Sequence, residues 1–212
     1  MTGSIHIDLF TTLDGVQQAP GGPDEDTDGG FAFGGWQAPV MDEFDGERVM
    51  AGIQAMDALL LGRRTYDIFA GFWPNQLDGT DDAIARKFDS IPKYVASRGT
   101  PALAWRDSHL LGRDLAAEVA VLRERHRETH VIGSIDFARS LVAEGLFDRL
   151  NLWVYPIVLG KGKRLFPHDG LPASLRLLEP PVASPHGTVF LSYGPGDGTP
   201  GTGDMSQPDR GV

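Results

Sequence analysis

The residues of this chain best suited to chemistry gather where short apolar runs stop. Leu61-Gly62-Arg63-Arg64-Thr65-Tyr66 sets a glycine and two arginines at the end of such a run. A glycine lets the backbone turn, and the free N–H groups and dipole of a helix's first turn attract an anion. The segment reads either as a phosphate cradle or as an ordinary loop. Val131-Ile132-Gly133-Ser134-Ile135 repeats the arrangement with serine at a capping position. It reads as a seat for a pyrophosphate or as a plain capped helix, and Asp136 in the first turn would partly repel an anion. Lys93-Tyr94-Val95-Ala96-Ser97-Arg98 ends in a hydroxyl and a guanidinium. Arg98 suits bidentate binding of a ribose phosphate, or it is a solvated surface arginine.

Other chemistries fail on spacing. No G-x-G-x-x-G follows the first apolar strand, and Gly160-Lys161-Gly162-Lys163-Arg164 is a basic glycine turn rather than a P-loop. No G-x-S-x-G elbow occurs. His126 and His130 stand four apart, but the glutamate between them fits neither zincin order and His130 opens a strand, so no metal site is expected.

The elements that must position these turns follow from periodicity. Ile5 to Phe10 alternates as a half-buried strand, and Ala58 to Leu61 suits a buried parallel one. Lys93–Ser97, His109–Leu111, His130–Ile132, Leu150–Leu159, Leu175–Leu178 and Thr188–Tyr193 read as further strands. Helical spacing runs from Met41 to Met56. Thr65 is placed to cap a short helix over Tyr66 to Phe69, Asp114 one containing Leu115, Val119 and Leu122, and Ser134 one stopped by Gly145. Ala19 to Gly35 reads as a long loop whose acids, Asp24, Glu25, Asp26 and Asp28, face solvent. Helices alternate with strands and then strands stand alone, which predicts a mostly parallel α/β sheet completed by an antiparallel pair.

Composition bounds the rest. The 212 residues, 41% hydrophobic and 23% charged, suit one domain over residues 1–194. Residues 195–212 carry almost no apolar side chains and read as a disordered tail. A net charge of −10 argues against nucleic acid as a partner, and the lack of cysteine permits a reducing compartment. No apolar run reaches about 18 residues and no charged-then-apolar leader opens the chain, so a cytoplasmic protein without a membrane span is expected.

Phe10-Thr11-Thr12-Leu13-Asp14-Gly15-Val16, Ala19-Pro20-Gly21-Gly22, the three turns above and Tyr155-Pro156-Ile157-Val158-Leu159-Gly160-Lys161-Gly162 occur in one order. That series resembles the dihydrofolate-reductase-like family, in particular the C-terminal reductase domain of the riboflavin deaminase-reductase, over residues 4–194. The resemblance implies NADPH as hydride donor. It implies Gly62, Arg63, Arg64 and Thr65 on the cofactor phosphates and Gly133, Ser134 and Ile135 on the pyrophosphate. Ser97 and Arg98 fall near the 2′-phosphate, and Leu13, Asp14 and Gly15 border nicotinamide and substrate. Dihydrofolate reductases carry an acid on the first helix, so Asp42, Glu43 and Asp45 become proton-donor candidates beside Asp14. Two features depart: Ser134 replaces the second glycine of a Gly-Gly pair, and no zinc deaminase domain precedes the reductase. A stand-alone reductase of a pterin- or pyrimidine-like heterocycle, or of a carbonyl or imine, is therefore expected. The alternative is a nucleotide-binding protein that kept the fold without turnover. Riboflavin-type reductases associate through the Leu150–Leu159 part of the fold, and that strand is apolar on both faces, so a homodimer is expected.

Overall fold

The computed structural model of the chain describes residues 2–80, 82–170, 172–204 and 206. In chain order the strands are β1 (Ser4–Thr12), β2 (Ala58–Gly62), β3 (Lys93–Ala96), β4 (Ser108–Leu110), β5 (Glu128–Val131), β6 (Arg149–Tyr155), β7 (Leu175–Leu177), β8 (Val182–Ala183) and β9 (Val189–Pro195). The helices are α1 (Glu43–Ala55), α2 (Arg63–Phe72), α3 (Asp82–Ser90), α4 (Leu115–Arg125) and α5 (Ile135–Ala143). One sheet runs in the order β4-β3-β2-β5-β1-β6-β9-β7, with β8 on β9. Strands β1 to β6 pair in parallel, and β7, β8 and β9 join antiparallel.

Both faces of the parallel part are covered, as its continuous apolar runs require. On one face α4 and α5 bring Val119, Leu122, Phe137 and Leu141 against Ile5, Ile7, Leu60 and Val131. On the other, Ile53, Tyr66 and Phe88 pack on Leu59, Leu61 and Val95. Residues between β1 and α1 supply Val16, Phe31 and Trp36 to a further cluster with Trp153, Tyr155 and Phe190.

The mostly parallel α/β sheet with antiparallel closing strands matches the sequence expectation, and four details differ. Helix α3 was not legible, because Ala85 and Phe88 are its buried side chains in an otherwise charged stretch. Arg63 begins α2, so Thr65 lies inside the first turn and does not cap it. The strand expected over Leu150–Leu159 stops at Tyr155, since Pro156 has no N–H to donate. It also lies between β1 and β9, two strands inside the β7 edge.

The last strand sets where the fold ends. Pro195 pairs with Leu175, and the Gly196 N–H donates to Ser174 O at 2.9 Å. The body thus reaches past residue 194 by two residues. Asp197 to Asp204 and Ser206 are exposed, while Met205 and Gln207 to Val212, part of the expected tail, lie outside the described residues. Truncation after Asp197 should change stability by less than about 0.5 kcal/mol, the usual effect of an exposed site. Truncation after Tyr193 removes two of the three residue pairs that hold β7 on β9 and should lower the melting temperature clearly. Thermal denaturation of the two truncations checks both.

Candidate functional site

Strands β2 and β5 are neighbours, so the turns that follow them meet at the carboxyl edge of the sheet. The Gly62 N–H donates to Gly133 O at 3.1 Å. The approach needs glycine at both places. A Cβ on Gly62 would collide with Ser134 Oγ, and one on Gly133 would press on Thr65 Oγ1 at 2.8 Å. Gly133 also has φ of 120°, which a side chain rarely adopts. The starts of α2 and α5 therefore lie side by side, each with free N–H groups. Ser134 holds the capping position of α5, but its hydroxyl makes no capping bond and is turned to Gly62 instead.

These turns open on a cavity of about 590 Å³. Val49, Ile53, Ile68, Phe69 and Trp153 give it apolar walls; Arg64, Thr65, Gly133, Ser134 and Ile135 stand at one end. An apolar cleft with a few convergent polar groups is the usual form of a small-molecule site. Two adjacent helix N-termini at its mouth suit a diphosphate.

The acids of the long loop are not simply solvated, contrary to the sequence reading. Asp28 is paired with Arg64, whose Nη2 lies 2.7 Å from Oδ1, and with Lys163 Nζ at 2.9 Å. Asp26 binds the same two cations at 3.2 and 2.6 Å. Gln18 Nε2 pins the loop through the carbonyls of Asp26 and Asp28 at 3.0 and 3.1 Å. Arg64 and Lys163 together hold the Asp28 carboxyl down to about 2. Asp24 alone matches the solvated reading, and Glu25 accepts the Gly21 N–H at 2.7 Å.

The other sequence candidates divide by place. Arg63 lies at the α2 start but is engaged with Asp67 at 2.7 Å. Ser97 and Arg98 follow β3 at the same carboxyl edge, next to β2, without lining the cavity; Arg98 is exposed. Leu13, Asp14 and Gly15 form the turn after β1, also off the cavity wall, with Leu13 exposed. Burial would raise the Asp14 carboxyl, but bonds from Thr12, the amides of Leu159 and Gly160, and Arg164 outweigh this and hold it down to about 2. Asp14 thereby ties its turn to the segment after β6.

The first-helix acids also lie behind the wall. Asp42 caps α1, accepting the Asp45 N–H at 3.0 Å. Asp45 is fully buried and accepts from Thr188 Oγ1 at 3.1 Å. Burial raises its carboxyl, an effect that the Asp42 charge reinforces and the Thr188 bond only partly offsets. Gln37 Nε2, on the cavity wall, donates to Tyr155 Oη at 2.8 Å, and burial and then the nearby Asp45 charge raise that hydroxyl. Asp45 thus stands near the Tyr155–Gln37 pair that borders the cavity, with its Oδ1 free of any hydrogen-bond partner.

Sequence reasoning missed Asp8 and His130 as site residues. His130 Nδ1 lies 2.6 Å from Asp8 Oδ2, and both line the cavity. The signal was present in β1, whose polar positions His6 and Asp8 share one face. In a strand covered on both sides, such a face must look onto a cavity or a partner group.

The family described as the RibD C-terminal domain matches residues 4–183. The chain belongs to that family. Among its relatives, the uncharacterized protein YyaP of Bacillus subtilis strain 168 is 26% identical over 168 residues, covering 76% of this chain and 79% of YyaP. A protein of Shewanella sp. PV-4 named for riboflavin biosynthesis superposes with a TM-score of 0.68 at 21% identity, over 91% of this chain and 99% of that one. Dihydrofolate reductase of Enterococcus faecalis, solved in complex with NADP(H), superposes with a TM-score of 0.57 at 12% identity, over 93% and 99%. The RibD C-terminal domain fold is therefore the dihydrofolate-reductase-like one in this chain too.

Because Asp28 occupies the guanidinium that faces the cavity mouth, it competes with any bound anion. Asp28→Asn should tighten binding of a diphosphate-bearing nucleotide several-fold, and Arg64→Ala should weaken it by about 1.5–3 kcal/mol, the usual worth of a hydrogen bond to a charged group. Calorimetric titration of both variants with a dinucleotide checks the two signs.

Proposed function

We propose that this chain is an NADPH-dependent reductase. Its substrate is a small heterocycle, pterin- or pyrimidine-like, or a carbonyl or imine compound, in the manner of 5-amino-6-(5-phosphoribosylamino)uracil reductase. The observation that carries the reading is the paired start of α2 and α5 at the mouth of an apolar cavity of about 590 Å³. The family and the NADP(H) complex of the Enterococcus relative support the same cofactor.

The residues present fit that group. Thr65 and the amides around Gly62–Arg64 and Gly133–Ile135 would hold the diphosphate, with Arg64 released from Asp28. Ser97 and Arg98, beyond β3, would meet the 2′-phosphate. The bound cofactor supplies a hydride. Val49, Ile53, Phe69 and Trp153 would sandwich a flat substrate and exclude water. Reduction of a C=N or C=O bond also consumes a proton. Of the four sequence-derived acids, Asp45 suits this best, because burial keeps its proton on to higher pH than an ordinary aspartate, whereas Glu43 is exposed. Tyr155, bonded to Gln37 on the cavity wall, is the group through which the Asp45 proton would have to pass. Asp14 and Asp42 serve the backbone instead, one holding a turn and the other a helix start. The rival reading, a nucleotide binder without turnover, draws on the position of all four acids off the cavity wall.

Oxidation of NADPH, followed by absorbance against a panel of pterins, pyrimidines and small carbonyls, separates the two readings. Turnover of any of them supports the reductase; tight NADPH binding with no turnover supports the binder. NADPH should bind more tightly than NADH, and Arg98→Ala should narrow that preference by about 1.5–3 kcal/mol. Equal affinity of the unaltered protein for both cofactors would remove the assigned 2′-phosphate contact. Asp45→Asn should lower kcat by about 10²–10⁴-fold with little change in the NADPH Kd, and should abolish the fall of kcat as pH rises through the Asp45 titration. An unchanged pH profile would exclude Asp45 as the proton source.

A second copy of the chain is proposed as partner. Leu152 and Val154 of β6, with Val189 and Leu191 of β9, form a half-buried apolar face, and Val158 beyond β6 is exposed. An isologous dimer would cover it. Light scattering at micromolar concentration should give twice 22.9 kDa; a mass near 22.9 kDa would refute the dimer.

A further inference from the structure

We infer that His6, Glu128 and His130 form a binding site for one zinc-like divalent ion, on the sheet face beneath α1. The placement follows from strand geometry. Glu128 and His130 are two apart on β5 and so point to one face. His6 of β1 is the register partner of His130. The three side chains therefore project together, with the imidazole centroids 4.7 Å apart. One donor atom from each lies within 4.8 Å of the others. Two imidazoles and a carboxylate are a set that zinc commonly takes, with a fourth position left for water. A cavity of about 320 Å³ opens in front of them and gives that water, and the ion, a way in.

His130 shows a second, independent sign. It is 3% exposed, and its Nε2 has no hydrogen-bond partner. The nearest carboxylate oxygen, Glu128 Oε2, is 3.7 Å away. Its Nδ1, by contrast, is fixed at 2.6 Å on Asp8. Asp8 is in turn held by Asn151 Nδ2 at 2.8 Å, and Asn151 Oδ1 accepts from Ser192 Oγ at 2.8 Å. A carboxylate on one ring nitrogen orients the imidazole and raises the basicity of the other, which is how metal-binding histidines are commonly supported. Ser4 Oγ, 2.9 Å from His6 Nε2, fixes that ring as well. The two guanidiniums beside the cavity, Arg149 and Arg48, are turned to the Glu179 carboxylate they share, at 3.1 and 3.6 Å. The donors now stand wider than in a bound set, where each would lie about 2.0–2.2 Å from zinc. Glu128, half-buried on a flexible side chain, is the group able to close that gap.

Without a metal, the same residues would make a different device: a protonated His130 bridging Asp8 and Glu128. Titration distinguishes the two. Tag-free protein, dialysed against chelator and titrated with zinc chloride by calorimetry, should take up one equivalent. His6→Ala and Glu128→Gln should each weaken this at least about tenfold, and Asp8→Asn about 10–100-fold, the range for such supporting partners. His186→Ala, an exposed histidine away from the cluster, should leave it unchanged. Cobalt(II) added to the unaltered protein should give intense visible absorption of a four-coordinate N/O site. This second readout holds even if a variant fails to fold. No zinc uptake by the unaltered protein, uptake equal in the His6 and Glu128 variants, or no such cobalt spectrum would overturn the site in favour of the protonated bridge.

Discussion

The Gly62 amide donates to the Gly133 carbonyl at 3.1 Å, and the rest of the site depends on that approach. Neighbouring parallel strands lie about 4.8 Å apart, so the turns leaving them can touch only if their side chains allow it. Glycine at 62 and 133 removes the obstruction, and Ser134 and Thr65 fill the space a Cβ would have taken. Their helices then begin side by side. The two dipoles add at one point of the carboxyl edge, in a protein whose net charge of −10 would otherwise repel an anion.

The acidic balance is handled locally. Asp26 and Asp28 reach across the cavity mouth to Arg64 and Lys163, so the cations that an anionic ligand needs are held in place by carboxylates. These pairs are partly exposed and cost little to exchange, since surface ion pairs contribute at most about 1 kcal/mol. The loop that carries the acids is anchored separately, through Gln18 and by Trp36, whose Nε1 donates to Gln18 O at 2.8 Å. Its position therefore survives when the ion pairs change partners.

How much of this was legible in the sequence depends on how local each feature is. The turns at Gly62 and Gly133 are strand–glycine–helix junctions, complete within six residues, and both were readable. Asp114 as a helix cap was readable for the same reason, and the structure places it on the Ala117 amide. The Asp8–His130 pair joins residues 122 apart, so periodicity could mark the polar face of β1 but not its partner. The Arg64–Asp28 pairing needs a loop conformation that no propensity encodes. Pro156 was in plain view as the end of β6, yet the apolar run around it masked the signal. Asp45 was readable as an acid near the first helix, while its burial against Thr188 depends on β9 closing the sheet.

In the proposed function, the joined turns after β2 and β5 seat a cofactor diphosphate with the reactive ring directed into the apolar cavity. A crystal structure of the NADP⁺ complex tests it most directly. Diphosphate oxygens should lie on the amides of residues 62–65 and 133–135, with Arg64 turned from Asp28 to phosphate and the nicotinamide against the cavity wall. A diphosphate bound elsewhere, or these amides left to water while the nucleotide occupies another surface, would contradict it.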